Sequence, residues 1–244
     1  MSKVIRTSKH LIYLTILILL FIDCDAVTVN EYETQFNVYL VMYNYLPYTE
    51  VFVDRAYAID EPSEPYVEDA LVTLSTSNTV DTLFFDEMYG RYVKWYMDLQ
   101  PGTTYYLQVS KQGLDTLFGE TTVPGEFEFL NQPYDTITLE DTIIFHRSNG
   151  AIVYYCLFLS DGRQDKFWLK PDTLDSLVKI RVGDYIGNLP EGLCDILITA
   201  FDHNYYEYTF EPDDSLMQAG VRGGLGLCGS AWREGITLYL DTEQ

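Results

Sequence analysis

The sequence predicts an all-β protein made of two consecutive β-sandwich units, with at most one short helix. Short apolar runs alternate with polar residues at the period of two that half-buried strands show. Tyr occurs 21 times and Phe 13 times among the 244 residues, and their flat rings pack well on a pleated sheet. Helical periodicity is weak throughout. The best helical stretch is residues 204–210, which could extend to Met217.

The first unit begins near residue 36 and contains seven predicted strands. In the first strand, Val38, Leu40 and Met42 point to one face and are expected to be buried. Seven short strands within about a hundred residues, separated by turn-forming clusters, indicate an immunoglobulin-like sandwich. The other six predicted strands are residues 51–58, 70–75, 82–85, 92–97, 104–110 and 115–123.

A local motif around Tyr105 supports this fold. Residues 99–109 follow the pattern L-x-P-x-T-x-Y-x-x-x-V, which resembles a stretch of fibronectin type III and related domains. In those domains a Tyr at a strand corner packs inward, and its hydroxyl bonds to backbone a few residues upstream. The resemblance implies this role for Tyr105, and an aromatic ligand platform is the weaker alternative.

The pair Pro124-Gly125 marks the predicted end of the first unit, since such a pair after a strand is a natural boundary. The predicted organisation is therefore a signal peptide over residues 1–26, the immunoglobulin-like sandwich over 27–125 and a second β-rich unit over 126–244. Asp161-Gly162 has the composition of a hairpin turn. The strands predicted for the second unit are residues 143–145, 152–159, 166–169, 177–182, 194–201 and 236–240.

The first 26 residues have the composition of an export signal. Three basic residues precede an uncharged apolar run over residues 11–22, which is short for a membrane span but suits a signal peptide. Cys24 follows this run as in a bacterial lipoprotein box, although Asp23 stands where such boxes have a small uncharged residue. Lipidation of Cys24 is favoured, and cleavage after Ala26 is the alternative.

The formal net charge of −22 excludes nucleic-acid binding, because a surface this acidic repels phosphate backbones. The chain also lacks the spaced Asp and Asn ligands of a calcium-binding loop. A solvated surface is favoured over metal ligation for the adjacent acidic pairs, because hard cations need several oxygens that converge on one point. These pairs are Glu68-Asp69, Asp86-Glu87, Glu140-Asp141 and Asp213-Asp214.

Three cysteines follow Cys24 in the sequence. Cys156 and Cys194 lie in apolar strand-like runs, and Cys228 lies in a Gly-rich stretch. One pair could form a disulfide in an oxidising compartment, but buried thiols are favoured, because a buried thiol behaves as a small hydrophobe. With only two histidines after the signal segment and no C-x-x-C, a zinc site is not expected.

Residues 224–229 read GLGLCG and fit G-x-G-x-x-G, the spacing of a dinucleotide-binding loop. Such a loop opens a helix and is followed about twenty residues later by an acidic residue, whereas only 15 residues follow Gly229. We interpret residues 220–229 as a tight Gly-rich connection. Its glycines would allow positive φ and close backbone approach before the last strand, residues 236–240. No nucleotide and no other cofactor are expected.

Catalytic groups are few after the signal segment. His203 lies at the predicted end of a strand, where it could act, but a plain surface role is favoured. We therefore expect a protein that is not an enzyme. A hydrolase that uses two carboxylates is an alternative, because the chain has 37 acidic residues and their spatial arrangement cannot be read from the sequence.

Two groups of tyrosines are candidates for a binding surface: Tyr43, Tyr45 and Tyr48, and Tyr205, Tyr206 and Tyr208. Tyr rings bury much area with few rotatable bonds, which suits the recognition of sugars or proteins. Packing within strands is the favoured interpretation, since aromatic residues are also good strand formers. A carbohydrate-binding module is therefore kept as an alternative function.

Residues 196–208, which end in DHNYYEY, and residues 220–230, which contain GGLGLCGS, resemble the C-terminal part of an uncharacterised family of Bacteroidota-type cell-envelope lipoproteins. In this family, which carries a domain of unknown function, an aromatic residue stands at the position of Cys228. Residues 67–74 and 101–105 match its immunoglobulin-like front half. The resemblance implies an outer-membrane location and association with TonB-dependent uptake systems, and it supplies no catalytic residues.

These observations predict an exported protein, anchored to a membrane by lipid on Cys24. Its expected location is the outer membrane or cell surface if it is a lipoprotein, and the periplasm or the medium if it is not. The expected role is binding or assembly, as an accessory to a surface receptor or uptake complex such as a TonB-dependent receptor.

Overall fold

A computed structural model describes residues 35–56, 66–172, 175–187, 189–212 and 217–242. The predicted signal peptide and Cys24 lie outside the described residues. Within the described part, no helix is long and apolar enough to cross a membrane.

The first sandwich contains the seven strands expected from the alternating pattern, in the antiparallel order β1-β2-β5-β4-β3-β6-β7. Val38, Leu40 and Met42 point into its core as expected. The strands are β1 (Phe36–Tyr43), β2 (Tyr48–Arg55), β3 (Leu71–Ser75), β4 (Val80–Asp86), β5 (Arg91–Trp95), β6 (Thr104–Ser110) and β7 (Leu117–Thr122).

Tyr105 forms the predicted strand corner. Its ring is buried, and its hydroxyl accepts a hydrogen bond from the backbone N–H of Gln100 at 3.1 Å. The same hydroxyl donates to the carbonyl of Asp98 at 3.5 Å. Two bonds to upstream backbone fix the connection between β5 and β6, as the fibronectin-like motif implied.

The second half of the chain is also built from strands. β10 lies between β11 and β13, and β9 pairs with β12 in a separate two-stranded sheet. Apolar side chains from both sheets meet in one core. Asp161 and Gly162 have φ of +46° and +73°, as a two-residue hairpin turn requires. The strands are β8 (Thr136–Thr138), β9 (Thr142–His146), β10 (Val153–Ser160), β11 (Arg163–Leu169), β12 (Leu177–Arg181) and β13 (Gly192–Phe201).

One α-helix, α1 (His203–Phe210), follows β13. Its Asp202 N-cap accepts a hydrogen bond from the backbone N–H of Tyr205, which is the usual way to satisfy a free donor at a helix start. The helix over residues 204–210 is confirmed, but its extension to Met217 is wrong. α1 ends at Phe210, two residues before Pro212. A proline disfavours helical backbone at the residue before it, so the helix cannot readily continue through this position.

The last long strand, β16 (Gly224–Asp241), pairs with strands from both halves of the chain and is preceded by β14 (Gln218–Ala219) and β15 (Val221–Arg222). Its first part pairs in parallel with β1, from Phe36 opposite Gly224 onward. Its second part pairs antiparallel with β13. The expectation that the final strand covers only residues 236–240 is therefore wrong. The domain division at residue 125 stays a prediction.

Candidate functional site

The GLGLCG stretch lies inside β16, so the interpretation of residues 220–229 as one tight connection is wrong. The expected positive φ and close backbone approach are confirmed, however. Gly226 has a φ of +111°, and a Cβ at this position would lie 1.8 Å from the carbonyl oxygen of Val38. A Cβ on Gly224 would lie 2.6 Å from the carbonyl oxygen of Phe36. The glycines therefore let β16 lie directly against β1.

Asp202 joins α1 to strands of both sandwiches. One carboxylate oxygen caps the helix at Tyr205, and the other accepts a hydrogen bond from the hydroxyl of Thr121 at 2.6 Å. Ser230 Oγ lies 2.7 Å from Thr121 Oγ1 and 3.4 Å from Asp202 Oδ2. Burial raises the pKa of the Asp202 carboxyl above its usual range, although its hydrogen bonds oppose the shift. This buried network links β7, α1 and β16.

The two residues that follow Asp202, His203 and Asn204, have different contacts. Asn204 donates from Nδ2 to the carbonyls of Glu120 and Cys228, both at 2.7 Å. His203 is exposed, and its Nε2 lies 2.8 Å from a carboxylate oxygen of Glu207, one helical turn away. The structure thus places His203 in a surface contact with Glu207, while Asn204 attaches the helix to β7 and β16.

The acidic pairs contact neighbouring basic or backbone groups on the surface. Asp69 forms an ion pair with Lys111, Glu140 forms one with Arg181, and Asp86 accepts a hydrogen bond from a backbone N–H in the turn after β4. Asp213-Asp214 lies outside the described residues. Across the described ranges, no group of three or more His, Cys, Asp or Glu is placed to hold a metal ion.

The three cysteines of the described chain are free and buried, so the preference for buried thiols is confirmed. Burial raises the pKa of the Cys156 and Cys228 thiols well above their usual range and that of Cys194 to about 11. The reactive thiolate form is therefore disfavoured at neutral pH. Cys228 packs tightly against β7, since a Cβ on Gly119 would lie 3.0 Å from its sulfur.

Tyr43, Tyr45 and Tyr205 come together, although Tyr205 is far from the other two in the sequence. Tyr43 lies 5.2 Å from Tyr45 and 6.3 Å from Phe201, between ring centroids. Tyr205 stacks on Phe201 at 4.1 Å, and the guanidinium of Arg233 covers the Tyr45 ring at 3.5 Å. These rings contact one another and their neighbours, which agrees with the packing interpretation.

The other two helix tyrosines lie at the edge of this cluster. The Tyr206 ring stacks on Phe210 at 5.5 Å, and its hydroxyl accepts a hydrogen bond from Lys170 at 2.6 Å. The Tyr208 ring meets Tyr39 of β1 at 6.1 Å, edge to face. Both side chains thus fasten α1 to its neighbours.

Tyr48 lies elsewhere, on an exposed apolar surface that the sequence did not predict. In register, Tyr48 of β2 is opposite Trp95 of β5, and their rings are 5.1 Å apart. Phe84 of β4 is opposite Val93, two residues before Trp95 and so on the same face. Met88 and Tyr89 follow in the turn between β4 and β5. We call Tyr48, Phe84, Met88, Tyr89 and Trp95 the aromatic surface.

The aromatic surface is strongly exposed and is organised by a central arginine. Exposure reaches 72% for Phe84, 81% for Met88 and 55% for Trp95. The guanidinium of Arg91 lies 4.6 Å from the Tyr89 ring centroid and 5.5 Å from that of Tyr48. Arg91 also forms an ion pair with Glu50 on the same face, so Tyr48 and Tyr89 lie beside a charge that is already held in place.

No curated protein matches the chain. Among solved structures, chicken CNTN1 FN1–FN3 domains align over 83% of this chain at 10% identity and a TM-score of 0.26, and the chain spans 65% of that structure. The two fibronectin type III domains of chicken tenascin align over 84% of this chain and 97% of theirs, at 10% identity and a TM-score of 0.23.

A third solved structure comprises three N-terminal domains of the outer capsid protein Hoc of bacteriophage RB49. It aligns over 87% of this chain and 71% of its own, at 8% identity and a TM-score of 0.28. A family model described as a domain of unknown function (DUF4249) matches residues 28–185. That range covers most of the first sandwich and much of the second. The chain therefore belongs to the family defined by this domain of unknown function, DUF4249.

Proposed function

We propose that this protein is a non-enzymatic, lipid-anchored accessory protein of the bacterial outer membrane that binds a TonB-dependent receptor through its aromatic surface. The observation that carries the proposal is the exposure of that surface on β4 and β5 and on the turn between them. The all-β sandwich fold and the family match agree with a non-catalytic role. The membrane address comes from the signal-like segment before Cys24, and the receptor class comes from the resemblance to envelope lipoproteins.

The composition of the aromatic surface suits a protein partner. Trp, Tyr and Arg are the residues that contribute most to binding energy at protein interfaces, and all three lie here, at Trp95, Tyr48 and Arg91. Apolar side chains as exposed as Phe84 and Met88 are normal when single, but a contiguous group of them marks an interaction site. Because Arg91 is already paired with Glu50, a partner would meet an ordered surface.

The position of the anchor favours a partner in the same membrane. Eleven residue steps separate Cys24 from Gln35, the residue that precedes β1. At a maximum of about 3.6 Å per residue, this length of chain reaches no further than about 40 Å. Lipid on Cys24 would therefore keep the first sandwich, and the aromatic surface on it, close to membrane-embedded receptors.

The anchor is tested by mass spectrometry of the mature protein purified from native membranes. Diacylglycerol on an N-terminal Cys24 is expected, because a Cys after the apolar run is the acceptor in lipoprotein signals. An unmodified N-terminus at Val27 would contradict the anchored form of the proposal.

The docking surface is tested by placing a photo-crosslinking amino acid at Phe84 in cells that make the full chain. The matched control is the same amino acid at Phe118, which is also an exposed strand Phe but lies on β7. Irradiation is expected to link position 84, and not position 118, to a TonB-dependent receptor identified by peptide mass spectrometry. Equal cross-linking from both positions, or none to a receptor of this class, would overturn the docking proposal.

A further inference from the structure

A cavity of about 450 Å³ opens at one end of the first sandwich. It lies between the turn that joins β3 to β4, the end of β5 and the connection that leads to β6. Tyr105, the buried corner residue, forms part of its lining. Sites for small ligands measure about 300–1,000 Å³, so the cavity is large enough for one or two sugar rings.

The cavity wall carries polar groups whose positions are fixed by mutual contacts. Asp81 and Lys94 form an ion pair at 2.8 Å. Gln100 donates from Nε2 to a carboxylate oxygen of Asp98, also at 2.8 Å. Each pair offers a carboxylate acceptor beside a donor or an amide. This alternation matches the neighbouring hydroxyl groups of a sugar, which donate and accept within one ring.

An exposed aromatic ring stands at the cavity rim. Tyr96 is 86% exposed and has a φ of +58°, a backbone region that Tyr rarely adopts. Its N–H donates to the carbonyl of Pro47 at 2.7 Å, which holds the backbone in this conformation. The Trp95 ring lies 6.4 Å away. The flat apolar face of Tyr96 is thus held beside the polar wall.

The charges in and around the cavity select the ligand class. Two carboxylates, Asp81 and Asp98, accompany one ammonium group, that of Lys94, and the whole chain carries a formal charge of −22. Such a site repels uronic acids and phosphates. A sugar presents apolar C–H groups on one ring face and hydroxyls at its edge, which fit an aromatic ring beside hydrogen-bonding groups. We infer that this cavity binds neutral oligosaccharides, with Tyr96 as the stacking platform.

The test is isothermal titration calorimetry of the mature protein with short neutral gluco-, manno- and galacto-oligosaccharides and with galacturonate oligomers of equal length. At least one neutral series is expected to bind, and the galacturonate oligomers are not. Tyr96→Ala should weaken binding about tenfold, because it removes the stacking ring, whereas Tyr96→Phe should retain it. The matched control is Tyr134→Ala, since Tyr134 is 71% exposed and has a φ of +65° but lies outside the cavity.

Three results would overturn the inference. These are an absence of binding by every neutral oligosaccharide at up to about 10 mM, tighter binding of galacturonate, and equal loss of binding in the Tyr96→Ala and Tyr134→Ala variants. Far-ultraviolet circular dichroism of each variant shows that its fold is retained. The inference does not depend on the proposed receptor contact, because Tyr96 and the cavity wall are separate from the cross-linking position Phe84.

Discussion

Replacing Gly226 with Ala tests how closely β16 is held against β1. The added Cβ would lie 1.8 Å from the carbonyl oxygen of Val38, and it would have to move by about 1.2 Å to reach the shortest distances that Cβ atoms show. Since Gly226 faces Val38 in the parallel register, this movement separates the two strands locally. A positive φ costs about 1–2 kcal/mol for a residue with a side chain, and each ladder hydrogen bond lost costs about 1 kcal/mol more.

If two ladder hydrogen bonds are lost in addition to the cost of the positive φ, the expected loss for Gly226→Ala is about 3–4 kcal/mol in the free energy of unfolding. Two other glycines separate the contributions. Gly113 has a φ of +88° with open space around its would-be Cβ, so Gly113→Ala should cost only about 1–2 kcal/mol. Gly187 has open space and an ordinary φ, so Gly187→Ala should change stability by no more than about 0.5 kcal/mol.

Urea unfolding of the three purified variants, followed by tryptophan fluorescence, measures these differences. In a thermal scan, Gly226→Ala should melt about 6–16 °C below the parent protein, given the usual shift of about 2–4 °C per kcal/mol for a chain of this size. If Gly226→Ala is no less stable than Gly113→Ala, the close contact between β1 and β16 does not exist as described.

Three further predictions concern the corner, the buried carboxylate and the thiols. Tyr105→Phe should lower the free energy of unfolding by about 1 kcal/mol in urea, because the variant lacks the hydroxyl that bonds the backbone of Gln100 and Asp98. An equal loss for the exposed Tyr106→Phe would argue against this reason. The raised pKa of Asp202 means that its charge destabilises the folded state, and this penalty grows as pH rises above the usual pKa of 3.8. Asp202→Asn keeps an oxygen that can cap the helix and removes the cost of the buried charge. The free energy of unfolding of this variant, measured in urea relative to the parent protein, should therefore increase from about pH 4 to pH 7. A difference between the two proteins that does not depend on pH would contradict the raised pKa of Asp202. Iodoacetamide at neutral pH should label the buried Cys156, Cys194 and Cys228 only after unfolding, as peptide mapping would show. Labelling of these cysteines in the native protein would refute their burial.

The strands of the first sandwich could be predicted because each one alternates on its own. Val38, Leu40 and Met42 identify the buried face of β1 without reference to any other strand. The parallel pairing of β1 with β16 could not be predicted, since it joins distant parts of the chain and no local pattern encodes a partner. The glycines of β16 also prevent its prediction as a strand, because Gly is depleted in strands and is typical of turns.

The candidate sites were only partly readable for a related reason. Tyr43, Tyr45 and Tyr48 are close in sequence, but they pack with different neighbours: Tyr43 and Tyr45 contact each other beside Phe201, whereas Tyr48 contacts Trp95 of β5. Phe84 points outward from β4, while its strand neighbours are buried or half-buried. This position could have indicated the aromatic surface, since an apolar residue on the solvent face of a strand indicates a contact surface. The burial of Asp202 had a weaker signal, namely an Asp directly before a helical stretch.

The pairing of β16 with β1 governs the order in which this protein can fold. β1 leaves the ribosome well before β16, its parallel neighbour. Until β16 arrives, one edge of β1 exposes unpaired backbone groups that could pair with other chains. Contacts between segments so far apart form slowly. The first sandwich therefore completes its fold only after most of the chain has been synthesised, and a chaperone that binds β1 would protect its open edge during that interval.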